Sequence, residues 1–415
     1  MASVNGESWE PVQEEVEQVI QLLRQSHSPD TQIQRAVQQK VDELNKHPHF
    51  CKYLIFILSR LGQQADEATR SLGGLILKNT VRTHWSEWPP ETRAFIKCEC
   101  LRAVGDPSPL IRSTVGIVIT NVLLRESVVA WPELLPALCH MIDSDNYDLS
   151  EGAFNALQKI CEDHALNMAA DEQNRPLDTL LPKFLQFFSS AHPKIRSYAV
   201  SCVNSCLLVQ SDALTPHMQS FLTQLFALAN DDNQEVQRQL CRALTLLLDS
   251  HLETLAPQLP NIVEFMIMRT QARMDSEEQT ALEACEFWLS LAEHRAICKE
   301  TLQDHLPKLI PILIRSMKYS EMDIILLKGD VEDDAMVPDR NEDIRPRFHR
   351  SKRQHASGGS RDETDFSMVP QAATSTAGAE DDEQTDVDDA DDDGDGSTEW
   401  NLRMRAGFLG GGRYE

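Results

Sequence analysis

Apolar residues recur along this chain at helical spacing, and the helices themselves recur at near-constant intervals. The clearest stripe lies in 108–124. Ile111, Val115, Val118, Ile119 and Val122 share one face there, and Pro109 sits in a first turn that tolerates proline. The stripe returns as Ile195, Ala199, Cys202, Val203 and Cys206, and again as Val236, Leu240, Ala243, Leu244 and Leu247. Looser copies begin at Ile33, Thr69, Leu149 and Ala281, and an eighth begins at Ile324 and breaks off. Successive copies start 36 to 46 residues apart, the period of a helical-pair repeat. A single helical pair cannot bury its own apolar face, so neighbours must stack into one continuous core. The pattern therefore predicts an all-α solenoid rather than two or three separate globules.

Each stripe forms the second helix of a pair. The predicted pairs are 11–26 with the Ile33 helix, 53–61 with 67–81, 91–104 with 110–124, 131–142 with 149–161, 177–188 with 195–208, 218–229 with 235–248, and 260–270 with 280–292. A lone first helix follows at 305–318. Asp106-Pro107-Ser108-Pro109 and His192-Pro193 mark turns within the pairs. Periodicity then ends. Residues 330–399 are rich in Ser, Gly, Thr, Asp and Glu, which predicts a long disordered insert near the C-terminus. It has a basic block (Arg345, Arg347, Arg350, Lys352, Arg353) and an acidic one spanning 380–395. Segment 400–415 opens like a helix, but Gly407 and Gly410 to Gly412 interrupt it, so a divergent tail is expected.

Charge narrows the partners. With 65 acidic against 39 basic residues, the net charge is -26, which repels phosphate backbones and disfavours direct nucleic-acid binding. Ten cysteines without a Cys-x-x-Cys, several of them on the stripes, read as small core residues in a reducing compartment. No signal-peptide pattern and no membrane-length apolar run is present, so no membrane insertion is expected. Candidate chemistry is sparse. The Gly410-Gly411-Gly412-Arg413 run lacks the Lys-Ser/Thr of a phosphate loop, and His47-Pro48-His49 is too short for a metal site. No catalytic residue, cofactor or metal ligand is predicted.

Several longer segments carry a resemblance. The Asp-Pro and His-Pro turns leading into Ile-Arg helices resemble HEAT repeats. Leu75 to Asn79, Glu151 to Asp163, Leu282 to Leu289, Tyr319 to Asp330 and Asp343 to Arg350 resemble the karyopherin β2 (transportin) family of importin-β-type nuclear import receptors. The resemblance covers about residues 8 to 403. It implies eight HEAT repeats over 8–329 forming the N-terminal part of a superhelical arch, with an importin-β N-terminal-like region in 1–104. It also implies shuttling between cytoplasm and nucleus, carriage of cargo with proline-tyrosine localisation signals, contact with Phe-Gly nucleoporins, and binding of the small GTPase Ran in its GTP form by a monomeric receptor. The family's insert in repeat eight couples Ran binding to cargo release, and 330–399 stands in the matching place. The sequence leaves the family pattern at Met404, and the later repeats that hold cargo in the family are absent. A truncated form whose main activity is Ran binding is therefore expected. The alternative is a HEAT scaffold subunit of the phosphatase-regulatory type, against which the insert argues.

The resemblance implies that second helices line the surface that meets Ran. On that basis Lys78, Asn79, Asn121, Glu162, Asp163, Glu283 and Glu286 are the candidate Ran-binding residues. By spacing alone, the acids are an ordinary solvated face and Lys78 a cation near a helix end. In the insert, the candidates are Asp330, Glu332, Asp333, Glu380, Asp381, Asp382 and Glu383. Arg112 and Arg196 hold equivalent positions beside their stripes and read as ladders to Asp at neighbouring turns. Trp131 and Trp288 read as core, whereas Trp85 and Trp88 are expected to be half exposed.

Overall fold

The computed structural model describes residues 9–47, 49–271, 275–316 and 324–325. It divides into Met1–Leu313 and Ile314–Glu415. In the second unit, the described residues are Ile314 to Ser316, the last turn of a helix, and Ile324 and Ile325. The insert candidates Asp330, Glu332, Asp333, Glu380, Asp381, Asp382 and Glu383 lie outside the described residues, as does the tail.

The first unit is a run of helices with no strand among the described residues. In order these are α1 (Gln13–Gln25), α2 (Thr31–Leu44), α3 (Phe50–Arg60), α4 (Glu67–His84), α5 (Pro90–Ala103), α6 (Pro109–Glu126), α7 (Leu134–Ile142) and α8 (Tyr147–Ala170). There follow α9 (Pro176–Gln186), α10 (Pro193–Leu208), α11 (Met218–Ala227), α12 (Gln234–Ser250), the single turn α13 (Leu252–Leu255), α14 (Leu259–Thr270), α15 (Asp275–Glu293), α16 (Arg295–Leu302) and α17 (Leu306–Ser316). Helices α4, α6, α8, α10, α12 and α15 stack side by side as one layer, each with its first helix behind it. Stripe residues Ile111, Val115, Val118, Ile119 and Val122 are all fully buried, and so are Ala199, Cys202, Val203 and Cys206. Each predicted pair is thus present, and the solenoid reading holds.

The helices start for local reasons. Asp30, Asp66, Ser108, Asn146 and Asn233 cap α2, α4, α6, α8 and α12 with side-chain oxygens that accept from first-turn amides. The fourth residue of α2, α4, α6, α8, α10 and α12 then turns back as a donor to carbonyls at or just past the end of the preceding helix, which lack intrahelical partners. Gln34 donates to the Ser28 carbonyl, Arg70 to Leu58, Arg112 to Asp106 and Pro107, Ser150 to Ile142, Arg196 to Ser190, and Gln237 to Leu228, Ala229 and Asp231. Three arginines reach onward to an acid of a later turn: Arg70 to Asp106, Arg112 to Asp148 at 3.0 Å, and Arg196 to Asp231 at 2.7 Å. The expected Arg–Asp ladder is present. In these three pairs it ties the turn to the next repeat.

Some expectations need correction. Trp85 and Trp88 are buried, packed edge to face with ring centroids 5.6 Å apart, because the connection between α4 and α5 folds inward. Helix α8 runs well past the predicted end at 161, carrying His164, Ala165 and Met168 into the core. Helix α16 has no counterpart in the predicted pairs. Ile33 is 40% exposed, because α2 packs chiefly against α1 and lacks the flanking neighbour that covers the later stripes. Trp131 and Trp288 are buried as predicted, and Trp288 donates its indole N–H to Thr270 Oγ1 at 3.0 Å.

None of the ten cysteines forms a disulfide; burial pushes Cys51 up to about 12 and raises Cys202 and Cys206, and the hydrogen bond with Cys202, together with burial, raises Cys161. Cys98 is exposed and Cys100 buried, so the pair points to different faces. A thiol-disulfide reagent at pH 8 is expected to label Cys98 within minutes and the seven buried thiols only after denaturant is added; rapid labelling of Cys202 in the folded chain would contradict this core.

Candidate functional site

The stacked second helices leave one face uncovered by their first helices. Capping sets its register. With the helix starts aligned, Lys78 on α4, Asn121 on α6, Glu162 on α8 and Asp249 on α12 all lie in the C-terminal half of their helices, away from the capped turns. Lys78 is half-buried and Asn79 exposed, and both sit more than a turn before α4 ends rather than at its close. Asn121 is half-buried and spends its amide on the Ile117 carbonyl at 2.8 Å. Glu162 is exposed and accepts from Gln158 at 2.8 Å and from Ser201 at 3.4 Å. Asp163 is exposed beside it, and neither acid ends its helix, which runs on to Ala170. Glu283 and Glu286 are half-buried on α15.

These residues do not converge on a pocket. They are strung across the layer, with Lys78 and Asn79 on α4, Asn121 next on α6, and Glu162 and Asp163 on α8. Glu283 and Glu286 lie three helices further, on α15 beyond α10 and α12. The cleft between α1, α2 and α3, lined by Val19, Leu22, Lys40, Leu44, Phe50 and Tyr53 among others, contains none of them. A surface of this form can meet a large partner along several repeats. It offers no convergent set of groups around one reacting atom. Among the described residues no cluster of three His, Cys, Asp or Glu side chains is placed to hold a metal ion, and no helix is long and apolar enough to cross a membrane.

A polar seam fixes the face. Ser71 and Thr114 share a hydrogen bond of 2.9 Å between α4 and α6. Between α8 and α10, Asn155 donates to the Tyr198 hydroxyl at 3.0 Å, Tyr198 donates to Glu151 at 3.3 Å, and Lys194 pairs with Glu151 at 2.7 Å. Asn204 donates to the Gln239 carbonyl at 3.0 Å, and Thr280 donates to the Gln234 carbonyl at 3.3 Å, which carries the seam through α12 to α15. Glu151 is its buried hub. Burial pushes its carboxyl up, but the hydrogen bonds from Lys194 and Arg112 outweigh that and hold it below the usual carboxylate range.

Sequence reasoning passed over Lys159, Tyr198 and Ser201. Lys159 is half-buried between α6 and α8, and burial lowers its ammonium's pKa against the opposing pull of Glu162, Asp163 and Glu151. Its spacing three and four residues before Glu162 and Asp163 was the available signal, since such positions are neighbours on a helix. Tyr198 and Ser201 carried none, because their partners come from another repeat.

Comparison with known proteins follows the geometry. Paired helices stacked in this order, with an open face on the second helices, define a HEAT-type α-solenoid. The importin-beta N-terminal domain family matches residues 37–106, and the family described as IPO5-like, TPR repeats matches 111–265. Transportin-1 of Mus musculus is 54% identical over 354 residues, and transportin-1 of Homo sapiens 50% identical over 354 residues; each comparison covers 85% of this chain and 39% of the relative. The chain belongs to the transportin family of importin-β-type nuclear transport receptors and spans 39% of the length of those two relatives. The fold also matches the solved structure of Kap95p with RanGDP, at a TM-score of 0.59 and 16% identity, over 74% of this chain and 39% of that one.

Proposed function

We propose that this chain is a Ran-GTP-binding arch of a transportin-type nuclear import receptor, acting without catalysis and shuttling between cytoplasm and nucleus. The observation that carries the reading is the open face of α4, α6, α8, α10, α12 and α15. It presents Lys78, Asn79 and Asn121 on its early helices and the acids Glu162, Asp163, Glu283 and Glu286 on its later ones. A partner with a basic patch fits the acidic stretch, and a globular GTPase is large enough to span several repeats. Residues 8–329 act as one array of eight repeats, and 330–399 serves as the insert through which Ran binding releases cargo. Phe-Gly nucleoporins are a further partner of this reading, and cargo with proline-tyrosine signals is a partner of the full-length receptors of the family. The chain acts as a monomer.

The test is direct binding of the chain to Ran loaded with a non-hydrolysable GTP analogue, beside Ran-GDP, at low and high salt. GTP-selective binding that weakens as salt rises is expected, since exposed charges are screened. The double substitution Glu162→Lys/Asp163→Lys is expected to weaken binding about tenfold, a loss of about 1.4 kcal/mol. A monodisperse helical sample that binds neither form would move the scaffold reading ahead.

A further inference from the structure

Lys159 lies in a furrow between α6 and α8 that exists because residue 116 is glycine. A methyl group at that position would stand 3.2 Å from Lys159 Cδ, 3.0 Å from Asn155 Oδ1 and 3.6 Å from Ala156 Cα. The lysine stem therefore lies against bare α6 backbone. Asn155 cannot turn to meet it. The Tyr198 hydroxyl has one hydrogen and gives it to the Glu151 carboxylate, so Asn155 must supply its amide N–H to Tyr198, which leaves Oδ1 facing the furrow. The nearest acids are already engaged. Glu151 holds Arg112, Lys194 and Tyr198, and Glu162 holds Gln158 and Ser201. Asp163 points to solvent, and across the furrow Asn121 spends its amide on its own helix.

Among the described residues, Lys159 makes no hydrogen bond or ion pair, unlike Lys40, Lys97, Lys183 and Lys194. It caps nothing and bridges nothing. It is a half-buried amine with no acid within ion-pair distance, on the face the fold leaves open.

We propose that Lys159 is an acyl-acceptor site that takes acyl groups from donors of the thioester class. The neutral amine attacks the thioester carbonyl, a C–N bond forms, the C–S bond breaks, and the thiolate leaves and takes up the proton lost from Nζ. The product is a neutral amide on Nζ. The furrow favours this step because burial stabilises the neutral amine, the nucleophilic form, more than the engaged acids stabilise the ammonium. Acylation removes a positive charge beside Glu162 and Asp163 and so makes the stretch more attractive to a basic partner. That last consequence rests on the Ran reading; the acyl transfer itself does not, and its test contains no partner.

The experiment incubates the full chain with acetyl-coenzyme A and follows each lysine by peptide mass spectrometry across pH. Lys159 is expected to acetylate at least about threefold faster than exposed Lys46 at pH 7.5, with the ratio falling toward one above the usual lysine pKa of about 10.4. Glu162→Gln/Asp163→Asn is expected to raise the Lys159 rate about twofold or more by removing charges that hold the ammonium. Gly116→Ala crowds the stem at 3.2 Å from Cδ, displacing it by a few tenths of an ångström, and is expected to lower the rate toward that of Lys46. If that variant loses its helical signal, the acid substitutions decide. A Lys159 rate no higher than that of Lys46, or one that falls when the acids are removed, overturns the proposal.

Discussion

Gly152→Ala is expected to lower the urea midpoint of the helical signal more than any other glycine-to-alanine change in the array. A Cβ at residue 152 would lie 1.8 Å from the Val104 carbonyl oxygen and 2.8 Å from Arg112 Cδ. The first obstruction is backbone, at the end of α5, so no rotamer change relieves it. Helix α8 must move off the α5–α6 turn, and the Arg112 bonds to the Asp106 and Pro107 carbonyls and to Glu151 stretch with it. Overpacking of this kind costs about 1–3 kcal/mol and sometimes more. The opposing gain from replacing a helical glycine with alanine is about 1 kcal/mol. The obstruction is backbone, so the upper end applies and a net loss of about 2 kcal/mol is expected. Gly74→Ala is the control. Its Cβ would meet Thr114 Cγ2 at 2.4 Å and Leu58 methyls at 3.1 Å, all of them side-chain atoms that can shift. Its loss should be clearly smaller. Equal midpoints for Gly152→Ala and the parent chain would mean that α8 does not approach the α5–α6 turn this closely.

The two glycines also show where sequence reading stops. The 3.6-residue stripes made the helices, their pairing and their stacking order legible, because burial of a repeated apolar face leaves few alternatives. Arg112 and Arg196 were legible as ladder residues because two repeats put the same residue at the same place. Ser150 and Gln237 donate back to the turn carbonyls as those arginines do, but with other chemistry and without an onward acid, so a search for arginine overlooks them. Trp85 and Trp88 were misplaced because a connecting segment has no periodicity from which to infer burial. The face carrying Lys78, Asn121, Glu162 and Glu286 could be drawn only by resemblance, since exposure on one side of a layer depends on what packs on the other. Gly152 and Tyr198 were invisible for a different reason. Each is defined by a contact with another repeat, some 40 residues away, and single-helix periodicity holds no information about that distance.

Glu151→Ala should cost about 3 kcal/mol, at the low end of the 3–5 kcal/mol typical for breaking a buried ion pair. Glu151 is 1% exposed and meets Arg112, Lys194 and Tyr198 at once, so three helices of three repeats lean on one carboxylate. The low end applies because Arg112 keeps Asp148 and two backbone carbonyls, and Lys194 can turn to water. Glu151→Gln preserves the shape and should cost less. The pH dependence separates charge from shape. The carboxyl's folded pKa is depressed, so its ionised form stabilises the fold fully above the unfolded value of about 4.3. That contribution is lost as pH falls through the depressed folded value. The stability gap between the parent chain and Glu151→Gln should therefore be widest near pH 7 and close as the pH drops below about 4. Urea midpoints at pH 7, 4.5 and 3 measure it. A gap that stays constant into acid would show that Glu151 contributes by packing rather than as the charged hub of the seam. The open face would then owe its geometry to the apolar stripes alone.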